Sequence, residues 1–430
     1  MADQNSKVSS SEKGSSRFAI LKIRNFRYYW GATIFSLTGE HIEVSIRHWL
    51  IWELTHSVDW LLVMVFMHWF PHTLLSLPAG SIADRVNRQQ LILWSEIGLC
   101  AAALGMFITT YLGIMDQYWM SALLILHSVA GSISAPSRQL FVHDMVGREN
   151  LLAGVAMTSS LRFATQAIGK PIGGIVLLVL GASYGFFVNT LTFLPLILVL
   201  LTVIRIAQRE VPPESRRHPY EEFKQGLRHM RTDRSILAII CIATAPSIFL
   251  GNGFDAFLPI YADTVFSMGE YGYTYFITAQ GFGAVAAVVA LASLGNVRWK
   301  GKMVFVGIFV YCISIFAFAF SNSLALSITA LFIFGISQVI YSSSATALVL
   351  ERVPSEMRGR IMGIFNFSRL GLRVLNGPFL IATNKLAILS TATAFTANAI
   401  TLSIASGTVI LLTLGFAFFL PSAIKQDKES

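Results

Sequence analysis

The residues of this 430-residue chain with chemistry to offer are ionisable side chains set inside apolar runs. On the first such run Glu40, Glu43 and Arg47 follow at i, i+3 and i+7, one face of a helix within about two turns. Two readings are open. Either Glu43 and Arg47, four residues apart, neutralise each other and leave Glu40 as a neutral, protonated acid, or one of the two carboxyls loads and releases a proton. A buried carboxyl can exchange its proton near neutral pH, whereas an arginine stays charged. Further on, Arg162, Gln166 and Lys170 stand at i, i+4 and i+8, and Arg369 and Arg373 form a similar stripe. Such cations, Arg47 among them, can hold an anionic small-molecule substrate through charge-assisted hydrogen bonds, and Asp255 joins Glu40 and Glu43 as a candidate for proton coupling. Alternatively they pair with Glu40, Glu43 and Asp255 and lock parts of the protein together. Glu96 completes the set, so the apolar runs hold Arg47, Arg162, Lys170, Arg369 and Arg373 against Glu40, Glu43, Glu96 and Asp255. The sign of that balance favours an anionic or carboxylate-bearing substrate.

Holding these groups requires helices in a lipid bilayer. Apolar runs of roughly 20 residues, bounded by charge or turn residues, predict twelve spans. They cover 28–54, 60–82, 91–113, 118–140, 151–178 and 182–204, then 236–261, 271–295, 303–321, 323–350, 361–384 and 396–420. An all-α membrane protein is therefore expected. Composition agrees: 54% of residues are hydrophobic and only 13% charged, where a soluble chain is about one quarter charged. Each ionised side chain at a helix centre costs something like 2.5–3.5 kcal/mol, so those present need a reason.

The net charge of +9 is explained by topology rather than by nucleic acid. With the N-terminus inside, all but six of the 32 Lys and Arg residues fall in cytoplasmic segments. Five of the six are the intramembrane cations and the other is Lys385, so both termini are expected to be cytoplasmic. The spans divide the chain into an N-terminal arm 1–27, a six-helix bundle 28–204, a linker 205–235, a second six-helix bundle 236–420 and a tail 421–430. Within the linker, Tyr220 to Met230 is amphipathic and reads either as a short helix on the inner membrane surface or as a solvated connection. Cys100, Cys241 and Cys312 lie inside apolar runs without metal-like spacing, and no cofactor or metal is expected. His68, His72 and His127 are isolated on their spans and read as packing residues. A multi-span enzyme would need a cluster of acids with metal-ligand spacing, which the sequence lacks.

An internal repeat relates the bundles. Val146, Glu149, Arg162 and Pro171 recur 207 positions later as Val353, Glu356, Arg369 and Pro378. The repeats begin in the loop before spans five and eleven, equivalent places in a 6+6 arrangement, with a substrate site between the halves. Arg162 and Arg369 should then converge near the midplane as an anion-binding floor.

Between spans two and three lies Gly80-Ser81-Ile82-Ala83-Asp84-Arg85-Val86-Asn87-Arg88-Gln89-Gln90. It resembles the loop signature of the major facilitator superfamily of transporters, G-x-L-A-D-R-x-G-R-[RK], with Gly80, Ala83, Asp84, Arg85 and Arg88 in place. Asn87 stands at the second glycine, where Asn best tolerates a left-handed backbone after Gly. Gln89 replaces a cation. Ala135 to Gln139, Met145 to Glu149, Phe223 to Arg234 and Val353 to Gly363 look like the branch containing the enterobactin exporter and macrolide efflux proteins. The resemblance covers essentially the whole chain and implies a monomeric secondary exporter, driven by protons, in a bacterial inner or plasma membrane. It also implies a gate in which Asp84 meets the start of helix 11 near Glu356, Arg358 and Arg360. Glu96 is expected either to pair with Arg85 or Arg88 in that gate or to lie as a surface acid. Gly169-Lys170-Pro171-Ile172-Gly173-Gly174 resembles the G-P-x-x-G-G motif of antiporters, with Lys170 at the proline position, so direction is not read from it. Uptake, or movement of a lysophospholipid, is the alternative within the same fold.

Overall fold

With no water in a bilayer core, a spanning segment must satisfy its backbone hydrogen bonds internally, and helices do so without partners. In the computed structural model, which describes residues 19–147, 150–204, 224–225, 227–228, 230, 233–294, 299–353, 357–391 and 393–417, helix occupies all twelve expected intervals and the described residues contain no strand. The first four helices are α1 (Arg24–Thr55), α2 (Val58–Arg85), α3 (Arg88–Tyr111) and α4 (Gln117–Val146). Next comes α5 (Leu151–Thr202), 52 residues broken into two arms at Gly181, whose φ of 77° suits a residue without Cβ. After the 205–232 interval come α6 (Arg234–Phe249), α7 (Gly251–Asp255), α8 (Leu258–Ile260) and a π turn (Tyr261–Val265). Then follow α9 (Gly269–Leu294), α10 (Lys300–Ala319) and α11 (Leu324–Arg352). The chain ends with α12 (Arg358–Leu370), a 3₁₀ turn (Gly371–Leu375), α13 (Asn376–Ser390) and α14 (Ala394–Ala417). Nine stretches of the described residues are long and apolar enough to cross a membrane, one of them the 43-residue Ser160–Thr202 that contains the Gly181 break. Both α1 and the α12–α13 rod fall outside those nine, and both carry several of the candidate charges.

Three expectations are corrected. Asn87 is not left-handed: at φ −60° and ψ 115° it caps α3, its side chain accepting from the Gln90 amide. A helix start exposes unpaired N–H groups, and Asn satisfies one where glycine cannot. The seventh span is not one helix. Pro246 lacks an amide to donate, Leu250 and Gly251 depart from helical angles, and the chain restarts as α7 and α8. Asn376 Nδ2 donates to the Ile248 carbonyl at 3.1 Å and so partners one of the acceptors at this break. The eleventh span likewise tightens into the 3₁₀ turn, where the Gly371 carbonyl accepts from Thr73 Oγ1 of α2 at 2.6 Å. The linker's amphipathic stretch lies largely outside the described residues. Of it, Lys224, Gln225, Leu227, Arg228 and Met230 are helical, with the two cations exposed and Met230 in the core.

Helices before residue 205 pack chiefly on one another, α1 along α5, α3 on α4 and α5, and α2 on α4. Those after residue 233 do likewise, with α11 against α9 and α10, and α14 against α6, α10 and α13. The two sets meet at two seams, α5 on α9 and α2 on the 3₁₀ turn and α13. Small residues bring the seams close: a Cβ on Gly281 would strike Pro171 and the Ala167 carbonyl, and one on Gly174 would lie 2.8 Å from Ile277.

Candidate functional site

On α1 the i, i+4 pair forms. Arg47 Nη1 donates to Glu43 Oε1 at 2.8 Å, and both side chains are buried. The other carboxylate oxygen accepts from Asn189 Nδ2 of α5 at 2.8 Å and lies 3.3 Å from His127 Nδ1 of α4. Glu40, one turn away and half-buried, has no hydrogen bond or ion pair among the described residues. The histidines are not isolated, which corrects the sequence reading. The ring centroids of His68 and His72 are 5.5 Å apart, those of His68 and His127 are 6.3 Å apart, and Ser128 Oγ lies 3.3 Å from His68 Nδ1. His68 and His72, four residues apart, share a face of α2, and the packing of α2 on α4 brings His127 beside them.

Glu96 does not pair with Arg88, the Arg85 side chain lies outside the described residues, and Glu96 is not a surface acid. It is fully buried, accepting from Arg138 Nη2 on α4 and from Ser36 Oγ on α1 at 3.1 Å. Eight residues of helix put about 12 Å of axial rise between Arg88 and Glu96, beyond side-chain reach, while α4 lies alongside. Arg88 instead meets buried Asp144 of α4 at 2.7 Å. The gate residues can be followed only in part. Helix α2 runs through Gly80 and Asp84 to Arg85, but their side chains, that of Arg358 and all of Glu356 lie outside the described residues. Arg360 directs Nη1 to Met357 Sδ at 3.2 Å.

At the seam between the halves Lys170 takes the pairing role rather than standing ready for an anion. Its Nζ lies 2.7 Å from Asp255 Oδ2 at the end of α7 and 3.2 Å from Gln280 Oε1 of α9. Gln280 Nε2 in turn donates to Asp255 Oδ1 at 3.3 Å. The same side of the seam is tied by Tyr273 OH to the Ser45 carbonyl at 2.7 Å, Trp49 to Glu270 at 3.1 Å and Trp52 to Asp263 at 3.0 Å.

Beside the lock is a polar cavity of about 60 Å³, lined by Gln166, Asp255, Arg369 and Arg373 together with Tyr311 and Ser342. Arg369 donates to Ser342 Oγ at 2.5 Å and to Thr346 Oγ1 at 3.4 Å and lies over the Phe365 ring. It has no carboxylate partner among the described residues, and its Nε is buried without a hydrogen bond. Arg373 lies 4.8 Å over the Trp69 ring of α2, across the second seam. Arg162 does not share this floor with Arg369. It is exposed, without a hydrogen bond or ion pair among the described residues, and its electrostatic neighbours are Glu40, Arg138 and Tyr29. Eight residues carry a side chain about 80° around a helix. Once Lys170 is held by Asp255, Gln166 faces the cavity and Arg162 is turned toward α1.

Sequence reasoning passed over Arg138, Asp144, Asn189, Gln280 and Asn376. A signal existed, since each is a strongly polar side chain within or beside an apolar run, but no periodicity names their partners.

The family described as transmembrane secretion effector (MFS_3) matches residues 15–426. The chain is 23% identical over 299 residues to an enterobactin exporter, EntS, of Shigella flexneri, covering 66% of this chain and 67% of that one. It is 21% identical over 351 residues to a staphyloferrin A transporter of Staphylococcus aureus (strain NCTC 8325 / PS 47), covering 80% and 85%. Among solved structures it resembles the nucleoside transporter NupG, with a TM-score of 0.65 at 13% identity over 93% of this chain and 99% of that one. At that identity the likeness bears on fold alone.

Proposed function

Because this chain belongs to the transmembrane secretion effector family and is a multi-pass major facilitator transporter rather than an enzyme, we propose that it exports a small anionic, siderophore- or drug-like solute against proton entry. The observation that carries the substrate's sign is Arg369. A guanidinium held by hydroxyls and an aromatic face, with no acid paired to it among the described residues, keeps an unspent charge in a site that a carboxylate would relieve. Arg373 and Gln166 line the same cavity, Arg162 stands exposed as a second cation on the N-terminal side, and Asp255 holds Lys170.

In this reading the halves 28–204 and 236–420 rock about the cavity, joined by the linker 205–235 and flanked by the arm 1–27 and the tail 421–430. The protein acts as a monomer in the inner membrane with both termini in the cytoplasm, as the placement of Lys and Arg favours. The Trp49–Glu270 and Trp52–Asp263 bonds then lie at the external end, and the exposed Arg162 looks toward the cytoplasm. That is an inward-open arrangement. Glu43 is the preferred proton carrier, because neutralising it removes the counter-charge of buried Arg47, and Glu40, a carboxyl one turn away, is the other candidate.

The name of the enterobactin exporter favours the outward direction, and that of the staphyloferrin A transporter favours a siderophore-like solute without giving a direction. The test is binding to purified protein of a panel of solutes matched in size but differing in charge. Carboxylate-bearing members should bind, and Arg369→Ala should weaken them at least tenfold. Equal affinity for neutral and anionic members would overturn the anionic reading, and uptake rather than efflux from loaded vesicles would overturn the direction.

A further inference from the structure

We infer that His127, His68 and His72 form a proton relay that connects buried Glu43 to the solvent that reaches the partly accessible His68 and His72 on α2, and this rests on the reading of the protein as proton-coupled. Glu43 is sealed: its side chain is 1% exposed, its oxygens accept from Arg47 and Asn189, and His127 Nδ1 lies 3.3 Å away without a formed hydrogen bond. A proton reaching or leaving that carboxyl must pass through one of these three neighbours. Arginine does not give up its proton in a protein, and an amide neither gains nor loses one near neutral pH. Imidazole is the side chain whose ordinary range spans neutral pH, and its two nitrogens let it accept on one side and donate on the other. That leaves His127, whose Nδ1 is 3.3 Å from Glu43 Oε2.

From His127 the path continues across the α2–α4 contact. His68 follows at a ring spacing of 6.3 Å and His72 at 5.5 Å beyond it, separations that one water or a hydroxyl can bridge. The Ser128 hydroxyl, 3.3 Å from His68 Nδ1, is placed to be such a bridge. His127 is buried whereas His68 and His72 are partly accessible, so the series runs from the sealed carboxyl toward solvent. The ring of His72 packs against α4 at Gly131, where a Cβ would come 3.7 Å from its Cε1.

The charged groups that face this row come from three elements. Arg47, His48 and Glu40 of α1 and Arg162 of α5 act on it electrostatically, and Arg373 of the 3₁₀ turn reaches its edge through Trp69. In the discharge direction Glu43 gives its proton to His127, which passes one from its other nitrogen to His68, and His72 delivers one to the solvent that reaches it. The net change is one carboxyl become carboxylate and one proton released. The relay assigns the arrangement with Glu43 against Arg47 to the discharged end of that cycle.

The relay makes a kinetic claim that a packing role for the histidines does not. Purified protein in liposomes would be followed by time-resolved infrared spectroscopy after a pH jump, reading the carboxyl band that Glu43→Gln removes. His127→Gln and His68→Gln should each slow its appearance at least tenfold while leaving its final amplitude within twofold, and elution as a single folded species would be checked for both. Unchanged rates in both variants would overturn the relay and leave Glu43 as carrier by another path. If no band sensitive to Glu43→Gln titrates in the wild-type protein, Glu43 is not the carrier and the relay falls with it.

Discussion

Lys170 Nζ and Asp255 Oδ2 are 2.7 Å apart, an ion pair between α5 and the broken seventh span that crosses the interface of the two halves. Both side chains are largely buried, so neither charge is compensated by water. Removing one partner leaves the other stranded, at a cost of about 3–5 kcal/mol, whereas replacing both with apolar groups of similar volume is close to neutral. Lys170→Ala and Asp255→Ala should therefore each lower the thermal stability of the purified protein. The double change Lys170→Met with Asp255→Leu should restore it. Additive losses in the double variant would show that the pair does not act as a unit.

The same bridge must open if the halves rock. Cysteines introduced at the Trp52 end should react with an impermeant maleimide faster in the Lys170→Met, Asp255→Leu variant than in the parent, in intact cells. Equal labelling in the two would sink the idea that this pair holds that end shut.

Arg369 and Arg373 make separable predictions because their surroundings differ. Losing a desolvated charged contact to substrate should weaken binding by about 2–5 kcal/mol for Arg369→Ala. Arg369→Lys should be tolerated poorly if a carboxylate is held by two parallel bonds. Arg373, which faces the Trp69 ring, should tolerate Lys better, since a lysine can also sit over an aromatic face. Arg162→Ala, on the far side of the substrate path, should affect affinity less than Arg369→Ala. The reverse ranking would move the anion site to α5.

Glu96 and Arg138 predict a stability phenotype, not a transport phenotype. Glu96→Gln leaves Arg138 charged in a nearly dry site and should reduce the yield of folded protein, and adding Arg138→Gln should recover it. A Glu96→Gln protein of normal yield that fails to transport would return Glu96 to the gate.

Asp84 remains the gate expectation drawn from the loop signature. Asp84→Asn should cut transport strongly while the protein still reaches the membrane. Normal transport by that variant would remove Asp84 from the mechanism.

How much was legible depended on whether an interaction is local along the chain. Twelve helical intervals and the Glu43–Arg47 pair follow from spacing, because a helix fixes which residues three and four apart share a face, whereas Arg369 and Arg373 are separated by the start of the 3₁₀ turn. The breaks at Gly251 and Gly371 were missed. Local propensity tolerates glycine in a helix, and what makes these breaks bearable is distant: Asn376 reaches the Ile248 carbonyl and Thr73 the Gly371 carbonyl. The partners of the buried charges were likewise a tertiary decision. An intramembrane acid must find a cation, but whether Glu96 finds Arg88 or Arg138, or Lys170 finds Asp255 or a substrate, depends on which helix lies alongside and how it is rotated. The histidine row shows this most plainly. His68 and His72 share a face of α2 by spacing alone, but His127 joins them only when α2 packs on α4, and it is His127 that the fold sets beside Glu43.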